Sequence, residues 1–233
     1  MNVNNAVLYV KESLQSKADP KKAAQMQAYM KTEMPFYGVQ KPGLVATVRG
    51  LKQEFGTPAL GELLELTERL WQARHREEKH LALELFKVHR FSHLPELLPR
   101  WEQWVREGAW WDFVDTIATQ LVSPTYKNHR EVTEPFVRRW SEDSDFWVRR
   151  LAILSHLKHK AETDETLLFE HCLRCAHEKE FFIRKAIGWA LREYSKHNPE
   201  SVAAFLEKHR ERWSGLTYRE GRKWLDKASH EKS

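Results

Sequence analysis

Phe146-Trp147-Val148-Arg149-Arg150 and Phe181-Phe182-Ile183-Arg184-Lys185 agree in residue type at every position, 35 residues apart (181 minus 146). Each is an aromatic pair, an aliphatic residue and two cations. A step of the same length back from 146–150 lands on Trp111-Asp112-Phe113-Val114-Asp115. Lys79-His80-Leu81-Ala82-Leu83 shares with 149–153 and 184–187 a pattern of two cationic residues ahead of an apolar run. Helical units recurring at such an interval build solenoids of the HEAT or armadillo kind, in which each repeat buries its apolar face against its neighbours. Equivalent positions in a solenoid line one surface, so Asp115, Arg150 and Lys185 are expected to form a row.

Working outward from these segments, helical periodicity covers nearly the whole chain, and no stretch shows the two-residue alternation of a strand. Helices are expected over about 4–16, 20–34, 42–54, 58–71, 75–90, 98–107, 110–121, 130–141, 145–158, 164–177, 180–197, 199–209 and 217–228. Breakers fall between them: Asp19-Pro20, Gly38 to Pro42, Gly56-Thr57-Pro58, Pro95 with Pro99, Gly108, Pro124, Asn198-Pro199 and Ser214-Gly215. Thr57 ahead of Pro58 reads as a helix N-cap followed by a first-turn proline. The fold expected is all-α, a right-handed superhelical solenoid of HEAT-like repeats with a concave basic face. No low-complexity linker divides the chain, so one domain is expected over 1–228, with a disordered tail over 229–233.

The 233 residues are 41% apolar and 30% charged, the balance of a soluble folded chain, and a net charge of +5 favours an anionic partner. Charge alone does not choose among DNA, RNA and a membrane surface. The N-terminal run MNVNNAVLYVKESLQSK lacks a basic region before it and a cleavage-like site after it, so it reads as a first helix. No segment approaches the length of apolar chain that spans a bilayer. Two cysteines, Cys172 and Cys175, make no disulfide framework. The expectation is a cytoplasmic monomer with no membrane association and no obligate protein partner.

Around Asp115, positions 110, 113, 114, 117 and 121 form an apolar stripe at helical spacing. Trp111 lies one step around from it, and Asp115 one turn above Trp111 on the same side. In 180–197 the stripe is Ile183, Ala186, Ile187, Ala190, Leu191 and Tyr194, which leaves Lys185, Gly188, Trp189 and Arg192 on the other side. Trp189 is therefore expected to be exposed between two cations, beside a glycine that admits a close approach. Such a surface suits nucleic acid or sugar, with a protein-partner hot spot as the other reading. Arg150 can clamp a phosphate or tie neighbouring repeats through an ion pair. Further cations, Arg138, Arg139, Arg149, Arg184, Arg210, Arg212, Arg219, Arg222 and Lys223, give the second half a basic bias suited to a duplex backbone.

There is no P-loop and no dinucleotide fingerprint. His171-Cys172-x-x-Cys175-x-His177 has near-metal spacing but lies within a helical pattern, so no metal and no cofactor are expected. What remains is a carboxylate among aromatic and cationic groups. Such a set can stabilise a sugar oxocarbenium ion. A purine alkylated at N3 or N7 is already cationic and leaves without acid assistance, so one anion suffices where ordinary glycoside hydrolysis uses two carboxyl groups. A charge pair at about 4 Å is worth roughly 4 kcal/mol at an effective dielectric of about 20, or about three decades in rate.

The residues also resemble the bacterial DNA-alkylation-repair glycosylases of the AlkD family. The resemblance runs over most of the chain through Tyr29-Met30-Lys31, Phe36-x-Gly38-Val39-Gln40-x-Pro42, Trp110-Trp111-Asp112-x-Val114-Asp115, Trp147-x-x-Arg150-x-Ala152-Ile153-Leu154, Lys179 to Tyr194, and Leu216-Thr217-x-Arg219-Glu220. It implies a metal-independent, monofunctional glycosylase that acts on alkylated purines in double-stranded DNA without flipping the damaged base, and leaves an abasic site. It further implies that Trp111, Asp115, Arg150 and Trp189 are the functional quartet. Arg149, Arg184, Lys185, Arg192 and Arg219 are the expected DNA-backbone contacts. A non-catalytic HEAT scaffold for DNA and a protein-binding adaptor are the rival readings. The first seventy residues match less closely, with Tyr37, Lys41 and the 43–55 helix departing from the family pattern.

Overall fold

The computed structural model describes residues 1–89, 91 and 93–230, without the side chains of 229 and 230. Among the described residues there are helices and turns and no strand. Packing gathers the chain into two compact units, Met1–Phe91 and Ser92–Ser233.

The first unit holds α1 (Val3–Gln15), α2 (Pro20–Met30), α3 (Lys41–Phe55), α4 (Leu60–Trp71) and α5 (Arg76–Val88). Asp19 caps α2, its carboxylate accepting the amide N–H groups of Lys21 and Lys22, each at 3.1 Å. The helix stops at Lys31, whose left-handed backbone (φ 49°) ends it short of the expected residue 34. Thr57 is not a cap. Helix α4 begins at Leu60, and the Glu62 carboxylate reaches back to the Ala59 N–H at 2.8 Å, so the cap comes from inside the helix. Leu14, Leu63, Leu66, Leu70, Trp71 and Phe86 are completely buried.

The 36–42 segment is held by a carboxylate. Glu77, buried on α5, accepts the N–H groups of Tyr37, Gly38 and Val39 at 3.1, 2.8 and 3.1 Å. Three donors on one anion offset the cost of taking its charge out of water. Gly38 is required here: its φ is +86°, and a Cβ would lie 2.1 Å from the Asp19 carbonyl oxygen.

The second unit holds α6 (Leu98–Gly108), α7 (Trp111–Thr116), a π-helical turn (Ile117–Val122), α8 (Ser123–Asn128), α9 (Arg130–Trp140), α10 (Phe146–Leu154), α11 (Glu165–Arg174), α12 (Phe181–Ser195), α13 (Pro199–Lys208) and α14 (Gly215–His230). The sequence repeat is a structural one. Helices α3, α5, α7, α10 and α12 begin at Lys41, Arg76, Trp111, Phe146 and Phe181, each 35 residues after the last. This is the HEAT-like plan, one register repeated in paired helices, and it extends further than the sequence segments alone suggested.

Pro124, expected as a breaker, lies inside continuous helical chain. It follows the π-helical turn, whose wider ring leaves room where a proline in a regular α-helix would clash with the carbonyl four residues earlier. Helix α10 ends at Leu154 instead of running to 158, because the next turn takes Lys158 and Lys160 into left-handed backbone. The core carries Trp101, Trp104, Trp140, Phe113, Ile117, Leu151 and Leu191, all at zero exposure. Truncating any one of these tryptophans would cost about 3–5 kcal/mol.

Surface ion pairs link residues 32 or 37 positions apart, close to one repeat: Arg106 to Asp143, Arg139 to Glu102, Arg138 to Glu170 and Arg174 to Glu142. Exposed pairs of this kind contribute about 0–1 kcal/mol each, so the tryptophan core, not these pairs, holds the unit together. Cys172 and Cys175 are buried and unbridged. Within 229–233, the expected tail, α14 continues to His230 and residues 231–233 lie outside the described residues. No helix among the described residues is long and apolar enough to cross a membrane.

Candidate active site

Asp115 and Arg150, one repeat apart, are joined. The Arg150 Nε donates to Asp115 Oδ1 at 2.8 Å and its Nη2 to Oδ2 at 2.9 Å, a parallel two-bond fork. Its third nitrogen, Nη1, donates to the backbone carbonyl of Phe182 on α12. The guanidinium also lies 5.8 Å from the Phe182 ring centre. Arg150 thus ties α7, α10 and α12 together, and its side chain is 5% exposed against 18% for Asp115. Of the two roles open to Arg150 from sequence, the inter-repeat ion pair is the one formed here.

Burial pushes the Asp115 carboxyl above its ordinary value. The Arg150 hydrogen bonds and charge work against that shift, and Asp112 adds to it. The carboxylate is therefore more basic than a surface aspartate, with its anionic form held by one cation.

The expected stripe of α7 is core at Phe113, Val114, Ile117 and Leu121, all fully buried. Trp110 is half-buried instead, its ring tilted against Trp147 at 6.0 Å and edge-on to Phe182 at 5.7 Å. Trp111 is half-buried as well. Beyond Asp115, the Thr119 hydroxyl donates to the Asp115 backbone carbonyl at 2.7 Å, within the π-helical turn. Thr119 and Gln120 form one side of a cleft of about 410 Å³ whose lining includes Trp189. Trp189 thus lines the same cleft as the turn that follows Asp115.

Helix α12 buries its whole expected stripe. Its other side is not open, which corrects the expectation for Gly188. Gly188 is buried against α14, and a Cβ there would lie 2.4 Å from the Glu220 Cβ and 3.0 Å from the Thr217 carbonyl oxygen. What approaches closely is the protein's own last helix. Trp189 is half-buried, not exposed. Lys185 and Arg192 both pair with Glu220, at 3.0 and 2.8 Å, and Lys223 shares the same carboxylate. Glu220 is buried, yet Lys223 and Lys185 hold its carboxyl down at about 2 despite the opposing effect of burial, its largest single influence.

Of the remaining expected backbone contacts, Arg149 forms a fork with Glu178 at 2.8 and 2.6 Å and also donates to the Asp143 and Ser144 carbonyls. The Arg184 Nε donates to the Glu178 carbonyl at 2.9 Å. Arg219 is exposed on α14. Sequence reasoning missed Glu220 as an organiser of this surface. Its signal was available, since 220 is the next position after Asp115, Arg150 and Lys185 at the 35-residue step.

A second buried cluster adjoins the cleft, which His156 helps to line. His156 Nε2 and His171 Nδ1 share a hydrogen bond at 3.2 Å, and His159 Nε2 is 2.9 Å from the Ser123 carbonyl oxygen. Burial lowers all three, His171 to about 4. Among the described residues no group of three or more His, Cys, Asp or Glu side chains is placed to hold a metal ion.

The family model described as "DNA alkylation repair enzyme" matches residues 10–225. The chain belongs to this family. A protein described as a predicted DNA alkylation repair enzyme from Enterococcus faecalis shares 31% identity, with a TM-score of 0.83 over 91% of this chain and 98% of that one. AlkD2 from Streptococcus mutans, at 18% identity and a TM-score of 0.61 over 88% of this chain and 99% of that one, shares the fold. No curated protein matches. The resemblance read from Trp111, Asp115, Arg150 and Trp189 is therefore to the correct family, the bacterial AlkD-type repair enzymes, and membership carries alkylation-repair glycosylase function in general.

Proposed function

We propose that this protein hydrolyses the N-glycosidic bond of N3- and N7-alkylated purines in double-stranded DNA and leaves an abasic site. The observation that carries the reading is a largely buried carboxylate, Asp115, raised in basicity by its surroundings and held by a single arginine fork. A solvated aspartate would be screened; one with little solvent around it acts on a developing positive charge with several times the strength.

In this scheme the leaving base carries its own positive charge, and none of the protein's groups has to protonate it. As the C1′–N bond lengthens, charge moves onto the deoxyribose, and Asp115 stabilises it and orients the attacking water. Trp111 and Trp189 pack against the sugar and exclude bulk solvent, with their π faces toward the cation. The damaged base stays outside any closed pocket.

Arg150 has two duties in sequence. In the free protein it keeps Asp115 ionised. A DNA phosphate at the same place competes for the guanidinium, and the carboxylate then faces the sugar with less of its charge neutralised. Duplex binding uses the basic surface of the second unit, with Arg219 exposed and Lys185, Arg192 and Lys223 grouped around Glu220. The test is incubation of the purified protein with methylated duplex DNA, without added metal, followed by chromatography for free 7-methylguanine and 3-methyladenine. Release of either base supports the reading, and a DNA-binding protein that releases neither is a scaffold.

A further inference from the structure

The cleft beside Trp189 has features that base excision does not use. It lies between α12, the π-helical turn and the turn that follows α10, and it encloses about 410 Å³. That is within the range of small-molecule sites and far too small for a duplex. Trp189 supplies an aromatic wall and Leu157 an apolar one, while Gln120 and Glu193, the latter paired with Lys196, bring a carboxamide and a carboxylate to the same space. Lys158 and Lys160 stand at its rim, both exposed.

The two lysines are held there by a built device. Both have left-handed backbone, φ 72° and 58°, a conformation that costs a non-glycine residue about 1–2 kcal/mol. Between them His159 is buried, with its Nε2 2.9 Å from the carbonyl oxygen of Ser123, and the Ser123 hydroxyl donates to the Leu157 carbonyl. The turn is thus pinned to the end of the same π-helical segment that carries Gln120. Backbone cost of this kind persists where the surrounding structure enforces it, and here it holds the backbone of two lysines beside an aromatic cleft.

We propose that this cleft binds a purine nucleotide, with the base against Trp189 and the phosphate on Lys158 and Lys160. The aromatic wall recognises the face of a base. Gln120 and Glu193 match the donor and acceptor edge of a purine, and two cations match one phosphate group. The nucleotide has two possible sources, an unpaired residue of a DNA strand or a free nucleoside monophosphate. The proposal goes beyond the excision reaction and requires no bond cleavage, although the two sites share Trp189.

Calorimetric titration of the full chain with guanosine monophosphate, guanosine and inorganic phosphate tests it. The monophosphate is expected to bind about tenfold more tightly than guanosine, the ratio that about 1.4 kcal/mol of charge-assisted contact gives. In the double variant Lys158→Ala, Lys160→Ala the two ligands should bind alike, and Gln120→Ala should weaken both; circular dichroism checks that each variant is folded. A second arm compares a duplex bearing one unpaired guanine with its fully paired counterpart. A preference for the bulged duplex that the double variant loses assigns the site to a strand nucleotide, and monophosphate binding without that preference assigns it to a free one. The proposal is overturned if the monophosphate binds no better than guanosine, or equally well in the double variant, and the duplex arm shows no bulge preference that the double variant loses. Base release from methylated DNA, measured separately, reports on the glycosylase reading alone.

Discussion

Arg150 grips both carboxylate oxygens of Asp115 from one repeat away and donates its remaining Nη to the carbonyl of Phe182 one repeat further on. Three successive repeats therefore meet at one guanidinium, and the 35-residue register becomes a chemical contact. The pair is a buried one, in which removing either partner leaves the other uncompensated. This shapes what each substitution should do.

The pH dependence of base release should show an acid limb above the ordinary aspartate value of 3.8, because burial raises Asp115. Activity is present when the carboxylate is ionised and is lost as the pH falls through its raised pKa. Arg150→Ala removes the interaction that opposes this shift, so the limb should move to higher pH as well as the rate falling. Single-turnover release measured across pH checks both effects, and a limb unmoved by Arg150→Ala would separate the two residues.

Glu220 neutralises part of a cluster of three cations, Lys185, Arg192 and Lys223. Glu220→Gln should therefore tighten binding to undamaged duplex and steepen the dependence of log K on log salt by about one. Fluorescence anisotropy over a salt series reads this directly. A shallower slope would place these cations away from the DNA.

Gly188→Ala should loosen α14 from α12. The added Cβ would meet the Glu220 Cβ at 2.4 Å and the Thr217 carbonyl oxygen at 3.0 Å, so the helices must part. A loss of about 1–3 kcal/mol is expected in urea unfolding. An unchanged midpoint would show that the two helices separate at no cost.

The histidine pair should make the protein acid-labile. His171, at about 4 in the folded protein, has an ordinary value of 6.5, so the unfolded chain binds a proton first as the pH falls. Its contribution is complete above about pH 6.5 and is lost on acidification toward about pH 4, on the order of 3 kcal/mol. His171→Leu should flatten the stability profile over that interval, as followed by thermal unfolding at several pH values.

The repeat was legible because its helices start in one register and carry the same residue types there, as Phe146 and Phe181 show. The buried stripe of α12 was legible for the same reason, since periodicity reports burial within one helix. Contacts between helices were not. Gly188 looked open because its own helix leaves it bare, and only the arrival of α14 covers it. Thr57 and Pro58 carry a cap signature that Glu62 supersedes from within α4. Arg150 kept two readings because a guanidinium suits a phosphate and a carboxylate equally well. Its partner was nonetheless encoded, one repeat back in the same row.

Asp115→Asn tests the central claim most directly, since it keeps the side-chain size and removes the charge. Single-turnover release of 7-methylguanine from duplex DNA should fall by about three decades, the rate equivalent of roughly 4 kcal/mol, while duplex affinity stays within a few-fold of wild type. Release at the wild-type rate by the Asp115→Asn variant would contradict the account.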